Sequence, residues 1–505
     1  MNYFQELINY SLAFLFFPFC ITENYLLITG LIPFLSAIAI FLTRRSTQIS
    51  NKITVASSIF LLIYTCICAV HWLYGIDSQF ILINFGNNLH ISLKLEPIGI
   101  IFSLLISFLW LLTSIYAICY MENSYFRGKY SSFLCFLSIS ISSAMFIAFS
   151  GDLLTTFVFY ELLTISTYPL VTYNSTNESV IAGRYYLGVL FFSSLVLFFP
   201  AIGLLYNKFH TVDFVADGIF KPDHSLTTFA SVCFAMLIYG IGKTALMPMH
   251  FWLPKAMVAP TPVSALLHAV AVVKSGVFIL IKVILYIFGV DNLRYFVQQN
   301  WFAGGWLTYV AGFTIIAASL VALKQKELKK LLAYSTISQL SYIILFASIF
   351  SKIGIEAAIF QLVCHAFAKI TLFFVAGSII IKTGEKYIDR MHGIGRSMPI
   401  AMTAFTVGVL SMIGVPPAPT FWSKLLILQA IFQSGDKMLS TFVTLVLIIS
   451  TLLNALYFLP IVYNAFFSKC SQNFFIKKTP VFLVLPAVIT AICTLIIFFS
   501  YLFIA

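Results

Sequence analysis

Uninterrupted apolar runs of about 20 residues recur along the whole sequence, and each is long enough to cross a lipid bilayer as one helix. The runs lack the alternation of polar and apolar residues that marks the strands of a membrane barrel. Only 9% of the residues are charged, whereas about 25% are charged in ordinary soluble domains. The pattern therefore predicts an all-α polytopic membrane protein with about 14 transmembrane helices.

Positive charges are distributed unevenly between the two ends of these predicted helices. If the N-terminus faces outward, 18 of the 29 Lys and Arg residues fall in cytoplasmic loops, 6 fall on the opposite side and 5 lie within spans. Because cytoplasmic loops carry an excess of Lys and Arg, this distribution predicts that both termini lie on the outer side. The expected location is the inner (plasma) membrane of a bacterium. The net charge of +12 is then a property of membrane topology, and we expect no nucleic-acid partner.

The sequence contains no pattern typical of a cofactor or metal site. Its nine cysteines are scattered, form no CxxC pair and fall mostly within apolar runs, as small packing residues do. It has no Walker loop, no GxGxxG motif after a strand, and no ligand spacing typical of haem, iron–sulfur clusters or zinc. We therefore expect no cofactor, no bound metal and no redox centre of the chain's own.

Two apolar spans are interrupted by proline, and each interruption lies near a lysine. The seventh span carries Lys243 and breaks at Pro248, and the twelfth breaks at Pro416–Pro417, shortly before Lys424. Broken helices are tolerated in membranes only where protein or water satisfies the freed backbone groups. Matching breaks, five spans apart, predict two inverted five-helix repeats. The predicted division of the chain is N-terminal helices 1–3 (1–130), a first repeat of helices 4–8 (131–289), a second repeat of helices 9–13 (290–467) and helix 14 (468–505).

Intramembrane charge is the strongest functional signal in the sequence. Glu161 is the only acidic residue at the middle of an apolar span, where an unpaired carboxylate is costly. Lys243 is its expected partner. The alternative is that an ion pair, or a neutral Glu161, only fixes the packing of helices.

Further titratable residues follow in the eighth and eleventh spans. His268 and Lys274 share the eighth span, and His365 and Lys369 lie four residues apart in the eleventh, on one helix face. Burial disfavours a charged amine and a nearby carboxylate favours it, so a lysine in such surroundings can exchange protons. For His268 alone, a hydrogen bond to a backbone carbonyl is an equally good explanation, and the HAFAK pair could form a polar seam between helices.

Other polar residues are given structural interpretations. Asp152 begins the fifth span and is expected at the membrane surface, which the long side chain of Lys282 can also reach. Metal binding at His250 is not expected, because nearby histidines have no carboxylate or cysteine companions. A group in the tenth span either holds water or makes ordinary interhelical hydrogen bonds: Ser335, Thr336, Ser338, Gln339 and Ser341.

Five segments of the sequence resemble one family of membrane proteins. They are FVFYELLTISTYPLV, GKTALMPMHFWLPKAMVAPTPVSALLHAVAVVKSGVF, LKKLLAYSTISQLSYI, HAFAKITLFFVAGSI and GVPPAPTFWSK. They resemble the antiporter-like ion-pumping subunits of respiratory complex I, of energy-conserving hydrogenases and of Mrp-type sodium/proton antiporters. The resemblance covers roughly residues 90–430 and is strongest to the D-type member of the Mrp subunits. Lys255 stands where complex I relatives often carry an acidic residue.

The resemblance implies a role for each of the residues that the charge pattern singles out. It implies an essential ion pair, which falls on Glu161 and Lys243. It implies a central relay, which falls on His268, Lys274, His365 and Lys369. It also implies a second-half lysine, which falls on Lys424. It further implies proton translocation within a multisubunit sodium/proton antiporter, with other membrane subunits as partners and with protons and sodium as the ions.

Other functions remain open at this stage. The first alternative is a proton-pumping subunit of an NADH:quinone oxidoreductase or of an energy-conserving hydrogenase, where the chain would again hold no redox centre. A stand-alone carrier of organic substrates fits the lysine series less well, because such carriers need a roomy central site. A structural scaffold fits five intramembrane lysines and one glutamate least well.

Overall fold

The computed structural model describes residues 25–75, 78–266, 270–469 and 479–504. The predicted relay residue His268, the predicted loop lysines Lys477 and Lys478, and residues 1–24 lie outside the described residues. Within these ranges the chain is predominantly helical, and the helices are numbered below in chain order.

The first third of the chain consists of long, continuous helices. They are α1 (Tyr25–Leu42), α2 (Thr47–Leu73), α3 (Pro97–Glu122), α4 (Ser131–Ala148) and α5 (Leu153–Val171). The next helix, α6 (Asn177–Ser193), continues through a π-helical turn into α7 (Phe199–Phe209), and together they form one span of 33 residues.

The middle of the chain is built from shorter pieces. Helix α8 (Thr227–Gly240) ends before a 3-10 turn (Gly242–Thr244), and α9 (Trp252–Lys255) and α10 (Thr261–Leu266) follow. Helix α11 (Val272–Lys282) runs into a π-helical turn (Val283–Phe288). Beyond that turn the chain bends by 79° into α12 (Val290–Gln299).

The last third returns to long helices with one interruption. Its helices are α13 (Trp306–Leu323), α14 (Leu328–Ala347), α15 (Lys352–Thr383), α16 (Ile394–Ser397), α17 (Pro399–Ile413), α18 (Thr420–Ser434), α19 (Lys437–Phe467) and α20 (Val481–Ile504). The interruption separates α17 from α18, and Gly414, with φ of 81°, ends α17 there.

The prediction of a polytopic helical membrane protein is confirmed. Eleven described helices are long and apolar enough to cross a membrane, or twelve if the bent pair Val272–Phe288 and Val290–Gln299 counts as one span. Two shorter apolar helices, His224–Gly240 and Pro399–Ile413, coincide with the two spans predicted to be broken. The inverted relation between the two repeats, and the domain limits drawn from it, stay predictions.

One β-hairpin is added to the predicted architecture. Strands β1 (Gln79–Gly86) and β2 (Leu89–Lys94) pair antiparallel between α2 and α3. The connecting residues Asn87 and Asn88 have φ of 50° and 60°, which asparagine tolerates better than most residues and which matches the twist of a tight hairpin. The two short strands were missed because the much longer apolar runs on either side dominate the sequence pattern.

Helix α11 packs closely against the break that follows α8. A Cβ atom placed on Gly276 would lie 2.6 Å from the carbonyl carbon of Lys243 and 2.6 Å from the nitrogen of Thr244. Only a residue without a side chain allows two backbones to approach this closely. Gly276 therefore sets the distance between α11, which carries Lys274, and the break that carries Lys243.

We expect Gly276→Ala to lower stability by about 1–3 kcal/mol, because the new methyl group would meet backbone atoms that cannot rotate away. The measurement is unfolding of the purified protein in detergent. Gly203→Ala in α7 is the matched control, since nothing lies within 4 Å of its Cβ position. Equal stability of the two variants would contradict the close approach.

Candidate functional site

Lys243 lies in the 3-10 turn after α8 and is fully buried. Its Nζ donates to the carbonyl of Tyr160 at 2.5 Å and to the hydroxyl of Thr164 at 2.7 Å. The same nitrogen lies 3.2 Å from the centre of the Tyr160 ring. The backbone N–H of Lys243 in turn donates to the Tyr160 hydroxyl at 3.1 Å. The break after α8 is therefore fastened to α5, the helix of Glu161.

The Lys243 amine packs against α5, the helix of Glu161, but it forms no ion pair with the Glu161 carboxylate. No ion pair of 4.0 Å or less between described residues joins them. Both carboxylate oxygens of Glu161 lack a hydrogen-bond partner among the described residues. The hydroxyl of nearby Ser194 donates instead to the carbonyls of Leu190 and Phe191, at 2.9 and 3.3 Å. The ion pair itself stays a prediction, with the amine one residue away from its expected partner along α5.

Lys274 and His365 form a buried polar contact between the two predicted repeats. The Nζ of Lys274 on α11 and the Nδ1 of His365 on α15 are joined by a short hydrogen bond, and both side chains are fully buried. An ammonium group only donates, so Nδ1 accepts whenever Lys274 is protonated, and the ring proton then lies on Nε2. That Nε2 has no hydrogen-bond partner among the described residues. The pair can therefore take a proton at one side and offer it at the other.

Lys369 lies one turn further along α15. It is fully buried, and its Nζ donates to the hydroxyl of Ser335 on α14 at 2.7 Å. The i,i+4 spacing places Lys369 on the His365 face of the helix. Polar groups thus continue from the interface between the halves into the second half.

Buried side-chain amides donate hydrogen bonds to the backbone at the second helix break. The carbonyl of Met412, in the last turn of α17, accepts hydrogen bonds from the side chains of Gln339 and Asn454, each at 3.2 Å. The last carbonyls of a helix have no intrahelical donors, and lipid supplies none. A break inside the membrane therefore requires donors from neighbouring helices.

Lys424 is the third donor at this break. Its Nζ donates to the carbonyl of Ile413 at 2.7 Å and to the hydroxyl of Thr451 at 2.6 Å. It lies 5.4 Å from the centre of the Tyr342 ring. Like Lys243, this lysine contacts one carbonyl, one threonine hydroxyl and one tyrosine ring.

Gln361 links the relay helix to the second break, and the sequence analysis missed it. Its Nε2 donates to the side-chain oxygen of Gln339 at 2.7 Å, and its Oε1 accepts from Ser423 at 2.5 Å. Ser423 is the residue before Lys424, and Gln361 lies four residues before His365 on α15. The same i,i+4 spacing that singled out His365 and Lys369 would have found it.

Lys282 and Asp152 make structural contacts, as predicted for Lys282, but both side chains are enclosed by protein, which was not expected. Lys282 is fully buried, and its Nζ pairs with Glu96 at 2.8 Å and donates to the carbonyl of Ser150 at 2.6 Å. Asp152 is also fully buried and caps α5, accepting from the backbone N–H of Thr155 at 2.6 Å. The hairpin and the loop before α8 cover these helix ends, so protein surrounds both side chains.

A cavity of about 630 Å³ lies among the loops predicted to be cytoplasmic. It reaches Thr261, the first residue of α10, and Ala376 on α15. Lys329 also lines it and donates to the carbonyl of Ala259 at 2.5 Å. The cavity therefore opens beside α15, which carries Lys369, and beside α10, which precedes the helix of Lys274 in the chain.

Comparison with known proteins places this geometry in a family context. The sequence matches the family described as NADH:quinone oxidoreductase/Mrp antiporter, TM, over residues 150–450. Proteins named "Putative antiporter subunit mnhA2" from Staphylococcus aureus strains JH9 and MSSA476 are 28% identical over 438 residues, which cover 82% of this chain and 53% of theirs. The chain thus spans about half the length of the curated relatives it matches.

Solved structures share the fold. One is a chain of the membrane-bound sulfane sulfur reductase, an archaeal respiratory membrane complex, with a TM-score of 0.80, 22% identity and coverage of 95% of each chain. Another is a chain of the Mrp complex from Dietzia sp. DQ12-45-1b, with a TM-score of 0.78, 22% identity and coverage of 93% of this chain and 50% of that one.

We expect Lys282→Met to lower stability by about 3 kcal/mol, because it leaves the buried Glu96 carboxylate without its close partner. Only Lys94, 3.8 Å from Glu96, would remain. The double variant Glu96→Gln/Lys282→Met should recover most of the loss, since it removes both charges. Unfolding of the purified protein in detergent measures both effects.

Lys208→Met, at an exposed position in the last turn of α7, is the control for loss of a lysine. If the single and double variants at Glu96 and Lys282 lose the same stability, the charge pair is not the cause.

Proposed function

The chain belongs to the NADH:quinone oxidoreductase/Mrp antiporter membrane family, and on this basis we propose that it translocates protons within a multisubunit monovalent cation (sodium)/proton antiporter of Mrp type. The observation that carries the proposal is the buried contact between Lys274 and His365, which connects polar groups of the two halves. The relatives support it, since those from Staphylococcus aureus are named as antiporter subunits and one solved structure is an Mrp complex.

We assign the first step to Glu161 and Lys243. A carboxylate beside an amine stabilises its protonated form, so Lys243 keeps its proton while Glu161 is close. In the present structure Lys243 contacts only neutral groups of α5, an arrangement that represents the separated state. Separation releases the proton towards His268 and Lys274, because the positive charge has lost its counterion.

The following steps run sideways through the membrane. The proton passes from Lys274 to His365 and on to Lys369, whose Ser335 contact continues the path. Lys424 is the terminal group, reached along the polar side chains of Gln339, Gln361 and Ser423. Water in the cavity beside Thr261 supplies protons from the cytoplasmic side.

The arrangement in the membrane follows from the charge distribution. We propose the inner membrane of a bacterium as the location, since the curated relatives are from a bacterium. We propose that both termini lie outside, because 18 of 29 basic residues then face the cytoplasm. Residues 131–289 and 290–467 form the two inverted repeats, flanked by residues 1–130 and 468–505. Other membrane subunits are the partners, protons and sodium are the ions, and assignment to the D-type member of the Mrp subunits belongs to the same proposal.

A second function is favoured by one comparison. The similarity to the archaeal respiratory complex covers 95% of both chains, and the family name includes NADH:quinone oxidoreductase. Under this alternative the chain pumps protons within a respiratory or hydrogenase complex and has no redox centre of its own. Co-purified flavin and iron–sulfur subunits would favour the alternative, and several small hydrophobic subunits would favour the antiporter.

We expect Glu161→Gln and Lys243→Ala each to reduce proton transport by about 100-fold or more, because each removes a proton-transferring group. Transport is measured in everted vesicles that contain the partner subunits, and assembly is checked by co-purification. Glu356→Gln and Lys208→Ala make the same chemical changes at exposed positions outside the cavity and should leave transport intact. Full activity of either buried variant would rule out the pair.

We expect Lys274→Ala and His365→Ala to be non-additive. The two side chains act as one unit through a direct contact, so the double variant should transport protons no more slowly than the slower single variant. The same vesicle assay measures all three. Multiplying losses in the double variant would mean that the two residues serve separate paths.

A further inference from the structure

Three chain segments meet at the N-terminal end of α5, outside the proposed proton path. The backbone N–H of Gly151 donates to the backbone carbonyl of Ser92 in β2 at 2.9 Å. Asp152 and Asp213 face each other in a short antiparallel bridge, which Leu153 and Phe214 secure with backbone bonds to Val212 and Gly151, each at 3.0 Å. These bonds hold the hairpin, the start of α5 and the loop before α8 in fixed positions.

The segments bring one imidazole and two carboxylates together. His90 Nε2 lies 3.1 Å from Asp213 Oδ1. One ring nitrogen of His90 and one carboxylate oxygen each of Asp152 and Asp213 all lie within 4.8 Å of one another. A zinc ion has ligand distances of about 2.0–2.2 Å to nitrogen and oxygen, so a small closure of the three side chains would complete three ligand bonds.

The deepest of the three ligands is held in place by its own hydrogen bonds. Asp152 Oδ2 accepts from the hydroxyls of Ser92 and Thr155, each at 2.7 Å, and from the Ser92 N–H at 3.1 Å. Among the described residues its Oδ1 accepts only the Thr155 N–H, at 2.6 Å, which leaves a second lone pair for a ligand. Metal-ligating carboxylates are oriented by such partners.

Access and charge both suit a cation. The side chains of His90 and Asp213 are 12% and 31% exposed, so the cluster has an open side above the buried Asp152. Lys282 pairs with Glu96 at 2.8 Å, and Lys94 donates to the carbonyl of Phe214 at 2.9 Å. The cluster and its surroundings contain the carboxyl groups of Glu96, Asp152 and Asp213 and two lysines, so acidic groups outnumber lysines by one.

We propose that His90, Asp152 and Asp213 form a binding site for a divalent transition-metal cation of the zinc type. Imidazole and carboxylate together suit zinc, whereas calcium and magnesium prefer ligand sets made only of oxygen. Three protein ligands leave a fourth position for water. The ion would tie the hairpin and the loop before α8 to the end of the helix that carries Glu161.

No sequence pattern indicates this site, which is why no metal was expected. The three ligands lie far apart in the chain, at positions 90, 152 and 213. They come together because the hairpin and the loop before α8 both cover the end of α5. The proposal rests on this geometry and not on the proposed transport function.

The experiment is zinc binding to the purified full chain, measured by calorimetry with zinc chloride after removal of metal by a chelator. We expect one bound zinc per chain, and at least about tenfold weaker binding in His90→Ala and in Asp213→Asn. His224→Ala, which removes an exposed histidine from the loop before α8, is the matched control and should bind zinc like the wild type.

A second measurement separates lost binding from lost folding. Zinc should raise the unfolding temperature of the wild type and of His224→Ala, because it binds only the folded chain, but not that of His90→Ala. Absence of a stoichiometric zinc in the wild type, or equal affinity in all variants, would overturn the proposal. No transport is measured, so failure of the proposed function would leave this result unaffected.

Discussion

The two helix breaks create the main demand that this structure has to meet, because lipid offers no partner to freed backbone groups. At the second break, Gln339, Asn454 and Lys424 supply the donors for Met412 and Ile413. At the first break, the indole N–H of Trp252 donates to the carbonyl of Gly242 at 3.1 Å. Side chains that satisfy the broken backbone are thus neighbours of the titratable groups, so the same breaks that cost stability also gather the polar residues.

Lys243 and Lys424 have matching surroundings although no sequence identity links their segments clearly. Each amine contacts a main-chain carbonyl and a threonine hydroxyl, and each lies near a tyrosine ring. Such equivalence is what two copies of one device would show. The Lys274–His365 contact lies between them in the chain order of helices, as the proposed single series of polar groups requires.

The spans, the two breaks and the buried lysines were predictable because hydropathy, proline and charge are local properties of a sequence. The burial of Lys282 was not predicted, because it depends on Glu96, which lies just before α3, and on a hairpin that covers the helix end. Gln361 was missed because a neutral amide carries less signal than a charge, although its spacing from His365 was readable. The separation of Glu161 from Lys243 could not be predicted, because it depends on side-chain positions that the sequence leaves open.

The energy of separating the charges of Glu161 and Lys243 can be compared with the energy that the membrane potential supplies. Moving one charge through a membrane potential of 100 mV involves about 2.3 kcal/mol. Two opposite unit charges about 4 Å apart attract by about 4 kcal/mol at an effective dielectric constant of 20. Exchanging the neutral oxygens of Tyr160 and Thr164 for the carboxylate of Glu161 therefore changes the energy of the Lys243 proton by an amount comparable with the membrane potential. In the proposed mechanism, a side-chain movement between these neighbouring positions on α5 would therefore involve an energy of the size that the membrane potential supplies.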